Sequence, residues 1–276
     1  MNKYLKIILS VLFVLLVAFL VTKSCVRVHP PAVKPGKGPA RIIQPHGLPG
    51  PVLPAVLQPK MAIILDDWGY NLVLVKNAVE IGRPLTLSVL PHLPRSHQIA
   101  IEAKKNSLGV MLHMPMQPTN PNQPLEPRTI MTTTPDAEII RTLDEALENV
   151  PEAEGVNNHQ GSAATSDGRV MRTMLRHLKK RGLFFVDSEV IKTSVGRKVA
   201  QETGIAFTKR DVFLDNQLTV DAVKEKLRQA GRIALKYGRV IAIGHDKKIT
   251  IQAIRETLPE LEKEGVKLVL VKDLLD

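Results

Sequence analysis

A single cysteine, Cys25, occurs in 276 residues. That excludes an intrachain disulfide and a thiolate metal site. Aromatic residues are also scarce: one Trp, three Tyr and six Phe. So few rings leave little from which to build a base-stacking platform, which argues against nucleic acid as a partner. Acidic residues are missing only locally. Residues 1–59 hold seven Lys or Arg and no Asp or Glu, whereas 31 of the 38 basic residues and all 27 acidic ones fall in 60–276. The formal charge of +11 therefore belongs mostly to the tail. The rest of the chain carries about +4, ordinary for a folded domain. A basic tail of this kind suits a membrane surface or an anionic wall polymer.

The N-terminal stretch from Ile7 to Thr22 is apolar almost without interruption and follows Lys3 and Lys6. Its length lies between a signal-peptide core of ~7–15 residues and a spanning helix of ~17–25. No Ala-x-Ala pattern follows; the next residues are Lys23-Ser24-Cys25. The expectation is an uncleaved anchor over 1–25 with the remainder exported to the periplasm or cell exterior. A cleaved signal peptide is the alternative. Nine of the twenty prolines then fall between 26 and 59, a composition that reads as a partly stiff linker. His29 and His46 lie inside it and read as solvated.

From residue 60 onward, short apolar runs alternate with amphipathic stretches. Met61-Ala62-Ile63-Ile64-Leu65 is a uniformly apolar run of the kind buried on both faces of a parallel sheet. Helical patterns follow at 72–81, 96–106, 135–150, 170–181, 195–203, 219–237 and 250–264. The expected caps are Ser96, Thr134 and Thr219, and Pro259 argues against continuity of the last helix. Ile140, Leu143, Leu147 and Val150 form the expected buried stripe of the third. Seven or eight strands alternating with helices predict a parallel sheet with right-handed crossovers, forming a complete or incomplete barrel of the (β/α) kind. A doubly wound open sheet is the alternative. The stretch from Pro115 to Thr134 lacks any period, and a loop of that length often covers a binding site.

The strand ends carry the chemistry. One run ends in Asp66-Asp67, a second in His113, a third in His159, a fourth in Asp187-Ser188 and a fifth in His245. Each has an ordinary structural explanation when taken alone: a turn, a core histidine, a helix cap. In a parallel barrel, however, all strand C-termini open on one face, so these five groups converge. Together they suffice to hold a divalent cation and still leave an acid and a base. His92, His97 and His177 read as a turn residue, an exposed helix start and a basic, solvated helix face.

The motifs LDDWG, HMPMQP, GVNNHQGSAAT, FFVDS, RDVFLD and AIGH, in that order, resemble the divergent polysaccharide deacetylases. That family is a distant branch of the NodB-type carbohydrate esterases, grouped as carbohydrate esterase family four, and the resemblance covers 60–276. It implies a deformed (β/α) barrel and metal-dependent removal of an acetyl group from an envelope glycan such as peptidoglycan. Carried over residue by residue, Asp66 matches the general base, Asp67 and His113 match metal ligands, and His245 matches the general acid. The family's second metal-motif histidine is replaced by Gln117. His159, from its strand-end position, is the substitute third ligand of a cation expected to be zinc. Asp187 and Arg210 are candidates for orienting Asp66 or His245. Gln117, Asn158 and Ser188 are the candidate substrate contacts. Loss of the second histidine also favours a rival reading, a catalytically silent barrel that binds glycan or a cell-wall enzyme.

Overall fold

The structure, a computed structural model, describes residues 58–275. The expected anchor and the linker up to residue 57 lie outside the described residues. Among the described residues no helix is long and apolar enough to cross a membrane. The strands are β1 (Lys60–Trp68), β2 (Thr86–Val89), β3 (Gly109–Met116), β4 (Gly155–Gln160), β5 (Phe184–Asp187), β6 (Phe207–Lys209), β7 (Val212–Phe213), β8 (Arg239–His245) and β9 (Lys267–Leu268). Between them run α1 (Leu72–Val79), α2 (Ser96–Lys105), α3 (Asp136–Asn149), α4 (Gly168–Lys180), α5 (Gly196–Thr203), α6 (Val220–Tyr237) and α7 (Lys248–Lys263).

Every pairing is parallel, in the order β6-β5-β4-β3-β2-β1-β8-β7, with β9 beside the first residues of β1. This is the neighbour order of a (β/α) barrel with a break between β6 and β7. Only two residues separate those strands, far too few for a crossover, which needs a dozen or more. They act as one extended segment that changes partner: Arg210 N–H donates to Asp187 O on β5, and Asp211 N–H to Ile241 O on β8. The result is an incompletely closed ring, an α/β half-barrel, rather than a doubly wound sheet.

Two apolar layers follow from strand alternation. Met61, Ile63 and Leu65 point outward and pack under the helices, while Ala62 and Ile64 join Ile241, Ile243 and Met111 inside the ring. Val271 and Leu274, from a short 3₁₀ turn at the chain's end, belong to the inner cluster and close the ring at its strand N-terminal side. The strand C-terminal side is left to polar residues.

Several local expectations are corrected. α7 runs unbroken through Pro259, because Ile251, Ile254, Leu258 and Leu261 bury one continuous face around it. Thr134 does not cap α3; its hydroxyl accepts from Met131 N–H, and Pro135 occupies the cap position. Ser96 lies inside α2 and ties the preceding turn to Leu90 O and Leu93 N–H. Thr219 caps α6 as expected, accepting from Ala222 N–H at 3.2 Å. Ile140 faces solvent, and Ile139 takes its place in the buried stripe.

Candidate metal and catalytic centre

Consecutive strand residues point to opposite faces, so Asp66 and Asp67 should not be able to serve one pocket. A bulge resolves the conflict. Asp66 has the inward parity of Ala62 and Ile64, yet Trp68 packs outward with Met61, Ile63 and Leu65. One extra residue is inserted, and it is Asp67, whose backbone is left-handed at φ 68°, with the β1–β2 register shifting between Leu65 and Trp68. Asp tolerates that conformation better than most residues, and bulges commonly re-aim side chains near sites. Both carboxylates now reach one imidazole: His113 Nε2 is 3.7 Å from Asp66 Oδ2 and 3.3 Å from Asp67 Oδ1.

His159, at the end of β4, completes a triangle. Its Nδ1 is 3.0 Å from Asp67 Oδ1 and 3.2 Å from His113 Nε2. Asp67, His113 and His159 are thus a group able to hold a metal ion. Ligand bonds of ~2.0–2.1 Å in tetrahedral geometry imply ligand–ligand spacings of about 3.3 Å. Edges of 3.0, 3.2 and 3.3 Å fit that requirement, and one carboxylate with two imidazoles is a donor set suited to zinc.

A fully buried amide orients the centre. Asn157 Nδ2 donates to Asp66 Oδ1 at 2.9 Å, so its Oδ1 faces the other way. That oxygen accepts from Ser88 Oγ and from His113 Nδ1, the latter at 2.7 Å. Network logic then assigns one His113 proton to Nδ1, so that loss of the other, from Nε2, frees a lone pair facing Asp67 and His159. A ligating imidazole needs just this kind of support.

Charge follows the same logic. Burial pushes the Asp66 carboxyl up, against the pull of His113 and the Asn157 amide. Burial also works on Asp67, but hydrogen bonds from His113 and His159 outweigh it and hold that carboxyl well below its usual range. His113 is raised to about 9, since Asp66 and Asp67 overcome its own burial. The cluster is a place for one positive charge, and a proton competes there with a metal ion.

On the other flank, His245 pairs in register with Asp66 across β1 and β8, and its Nε2 lies 3.7 Å from Asp67 Oδ2. Its Nδ1 bonds Asp215 Oδ1 at 2.8 Å, while its own N–H and the Thr250 hydroxyl donate to Asp215 Oδ2. Gly244 permits this packing: a Cβ there would lie 2.9 Å from the Thr250 methyl. Burial pulls His245 down, but Asp215 and Asp67 more than compensate and raise it.

The remaining candidates are placed differently from expectation. Asp187 is buried and spent on its own turn, accepting from Glu189 N–H and the Ser194 hydroxyl. Arg210 donates to the carbonyls of Ser188 and Glu189 and lies over the Phe213 ring, so it orients neither Asp66 nor His245 by contact. Those duties fall to Asn157 and Asp215. Gln117 commits its Oε1 to the long loop, accepting from both the amide and the hydroxyl of Thr132, which leaves only its Nε2 to meet substrate. Asn158 is likewise committed, accepting from Ser188 N–H and donating to Gln160 O. Ser188 donates to Asn158 O and accepts from Asn157. His177 is half-buried against Asp144 at 2.8 Å rather than solvated. The long loop is pinned to β3, with Gln117 N–H donating to Ile130 O and Ile130 N–H to Pro115 O.

Asn157 and Asp215 lie inside the GVNNHQGSAAT and RDVFLD stretches, but sequence reasoning assigns neither a role. Asn157 is hidden by its type, since an amide is neither a usual zinc ligand nor a proton carrier; Asp215 has a suitable type, but its partner His245 lies 30 positions away.

A parallel α/β half-barrel is the fold that this chain shares with carbohydrate esterases of family four. The chain belongs to the family described as divergent polysaccharide deacetylase, which matches residues 63–275. It is 33% identical over 221 residues to the uncharacterized protein YibQ of Escherichia coli K12, covering 80% of this chain and 69% of that one. Its fold is similar to that of an uncharacterized protein from Agrobacterium tumefaciens C58, with a TM-score of 0.75 at 22% identity over 80% of this chain and 91% of that one. It is also similar to the catalytic domain of a peptidoglycan N-acetylglucosamine deacetylase from Eubacterium rectale. There the TM-score is 0.52 at 12% identity, over 77% of this chain and 88% of that one. At such identities the two solved structures speak of architecture alone.

Proposed function

We propose that the protein is a metal-dependent deacetylase acting on an acetylated glycan of the cell envelope. The observation that carries this reading is the triangle of Asp67, His113 and His159 ligand atoms, flanked by Asp66 on one side and His245 on the other. A divalent cation, zinc by donor type, would be held by those three residues and would supply Lewis acidity at its open position.

The chain's own groups divide the proton work. Asp66, with its carboxyl raised by burial and aimed by Asn157, takes the proton of the attacking water. His245 is raised and held by Asp215, so it carries a proton to give to the departing sugar nitrogen or oxygen. Replacement of the second motif histidine by Gln117 does not empty the site, because His159 from the neighbouring strand fills the third position. An envelope location is part of the same reading, supported by the apolar, basic N-terminal sequence.

The test is acetate release from acetylated chito-oligosaccharides and peptidoglycan fragments by the full chain, with zinc added or chelated. Acetate that appears only with metal and disappears in Asp66→Asn supports the reading. Metal binding without acetate on any acetylated glycan would leave a silent glycan-binding barrel instead.

A further inference from the structure

Nine large apolar side chains stand exposed among the described residues, and they are not evenly spread. Tyr70, Val73, Leu125, Val190 and Leu218 all follow strand C-termini, on the face that carries the metal and acid–base groups. Tyr70 is 60% exposed, Leu125 48%, Val190 45% and Leu218 50%. Each of these four sits on a different loop. Tyr70 comes three residues after Asp67, Leu218 three after Asp215, Val190 two after Ser188, and Leu125 lies beyond His113. The Leu125 loop is drawn toward the end of β4 by Gln160 Nε2, which donates to Pro124 O at 3.1 Å.

Scattered surface apolars need no explanation, but a set gathered round the mouth of a site does. Whatever covers them must also reach the site. Four of the five are aliphatic, so they do not offer the flat ring faces suited to a sugar chain. The same rim carries Lys192, Lys247 and Lys248, all exposed and without an ion pair among the described residues. Aliphatic tips flanked by such lysines are the pattern of an interfacial membrane contact, in which apolar groups enter the headgroup boundary and cations meet anionic lipid. We infer that the mouth of the centre docks on an anionic lipid surface, and that the acetylated sugar it receives is a headgroup carried on lipid. The second half rests on the deacetylase reading; the first does not.

The test uses the full chain reconstituted with vesicles. Trp68 is fully buried, so an added tryptophan reports on its own surroundings. Leu218→Trp is placed on the rim, and Ile101→Trp, on the outer face of α2, is the control. Vesicles of phosphatidylcholine with phosphatidylglycerol should shift the Leu218→Trp emission to the blue and allow quenching by brominated lipid, leaving Ile101→Trp unchanged. Pure phosphatidylcholine should do so less. No shift at Leu218→Trp, or an equal shift at both positions, overturns the docking.

The substrate half is read from diacetylchitobiose, free in solution or coupled to a dioleoyl phospholipid in the vesicles. A combined Leu125→Ser, Val190→Ser, Leu218→Ser variant should lose about tenfold or more on the lipid-coupled sugar and nothing on the free one. Equal effects on both, or none on either, overturn the lipid-borne substrate. Docking without acetate release from wild type overturns the deacetylase reading and leaves the membrane contact standing.

Discussion

The two ends of the barrel solve one backbone problem in opposite ways. At the strand N-terminal end, chain reversals between helix and strand use left-handed glycine, as at Gly182 (φ 73°) and Gly238 (φ 83°), and likewise at Gly82, Gly204 and Gly265. Ser107 is the exception there. At the strand C-terminal end the left-handed residues are Asp67, His92, Arg128, Gln160 and Glu189, with Gly161 alone among glycines. A side chain at positive φ costs on the order of 1–2 kcal/mol, which glycine avoids. Where a turn only has to turn, glycine serves. Where the strain is retained, the side chain usually makes a contact that glycine could not. Asp67 meets two imidazoles, Gln160 holds Pro124, and Glu189 pairs with Lys209. Strain of this sort clusters where positioning matters.

Asp67→Gly gives the sharpest test of that contrast. Glycine suits the φ of 68° better than aspartate, so the variant should still melt cooperatively. Yet it deletes the oxygen shared by His113 and His159, and deacetylation should fall by about 10³-fold with loss of bound zinc. Calorimetry beside metal analysis checks both halves. A variant that unfolds, or one that keeps its metal, breaks the comparison.

Asp215→Asn comes next in size. The carboxylate holds His245 through Nδ1 and is a main cause of its raised proton affinity. An amide there keeps the shape and loses the charge. The His245 pKa should then fall, so the acid is deprotonated at a lower pH and the alkaline limb of the pH–rate profile moves toward acid. The drop at neutral pH should be on the order of 10²-fold, the scale of one general acid. An unmoved limb would take His245 out of that role.

How much of this could be read from the sequence differs between the same two ends. Alternation of apolar runs with helical patterns predicts the barrel and the face on which Asp66, Asp67, His113, His159 and His245 meet. That these strand ends share one face follows from topology alone. What joins them does not. Asp66 and Asp67 serve one pocket only because a bulge breaks the strand's period, and no residue pattern marks the break. Asn157 and Asp215 orient the centre through contacts to residues 91, 44 and 30 positions away, beyond any local signal. Conversely, Asp187, Arg210 and Asn158 have the right residue types but spend their polar atoms on turns and loops, as Gln117 does with its Oε1, while Ser188 reaches the centre only through Asn157. Residue type shows what a group could do; only the hydrogen-bond partner shows whether it is free to do it.

Asn157→Leu probes the orienting amide, with an effect of about 10–100-fold on zinc affinity, the usual range for an indirect ligand support. Because Asn157 also restrains Asp66, turnover at saturating zinc should fall too. Asn157→Ala serves as a check that does not overfill the buried site. If both variants bind zinc like wild type, the tautomer of His113 is set by something other than this amide.

The smallest effect compares the two ends directly. Gly182→Ala puts a Cβ at φ 73° in open space, with no atom within 4 Å, so it carries only the backbone penalty. That penalty is about 1–2 kcal/mol, less about 0.4–1 kcal/mol gained by stiffening the unfolded chain. A net loss of about 0–1.6 kcal/mol is expected. Glu189→Gly runs the exchange backward at φ 46°, relieving the strain but loosening the unfolded chain by a similar amount and removing the Lys209 ion pair. That pair is more than a third exposed on the lysine side, so its loss is worth less than about 1 kcal/mol. The terms nearly cancel, and thermal stability should move little. Thermal melts of the two variants side by side decide the matter. A clear stabilisation in Glu189→Gly would show uncompensated strain on the active face, whereas a loss as large as that of Gly182→Ala would mean that Glu189 is held for its contacts rather than tolerated despite its backbone.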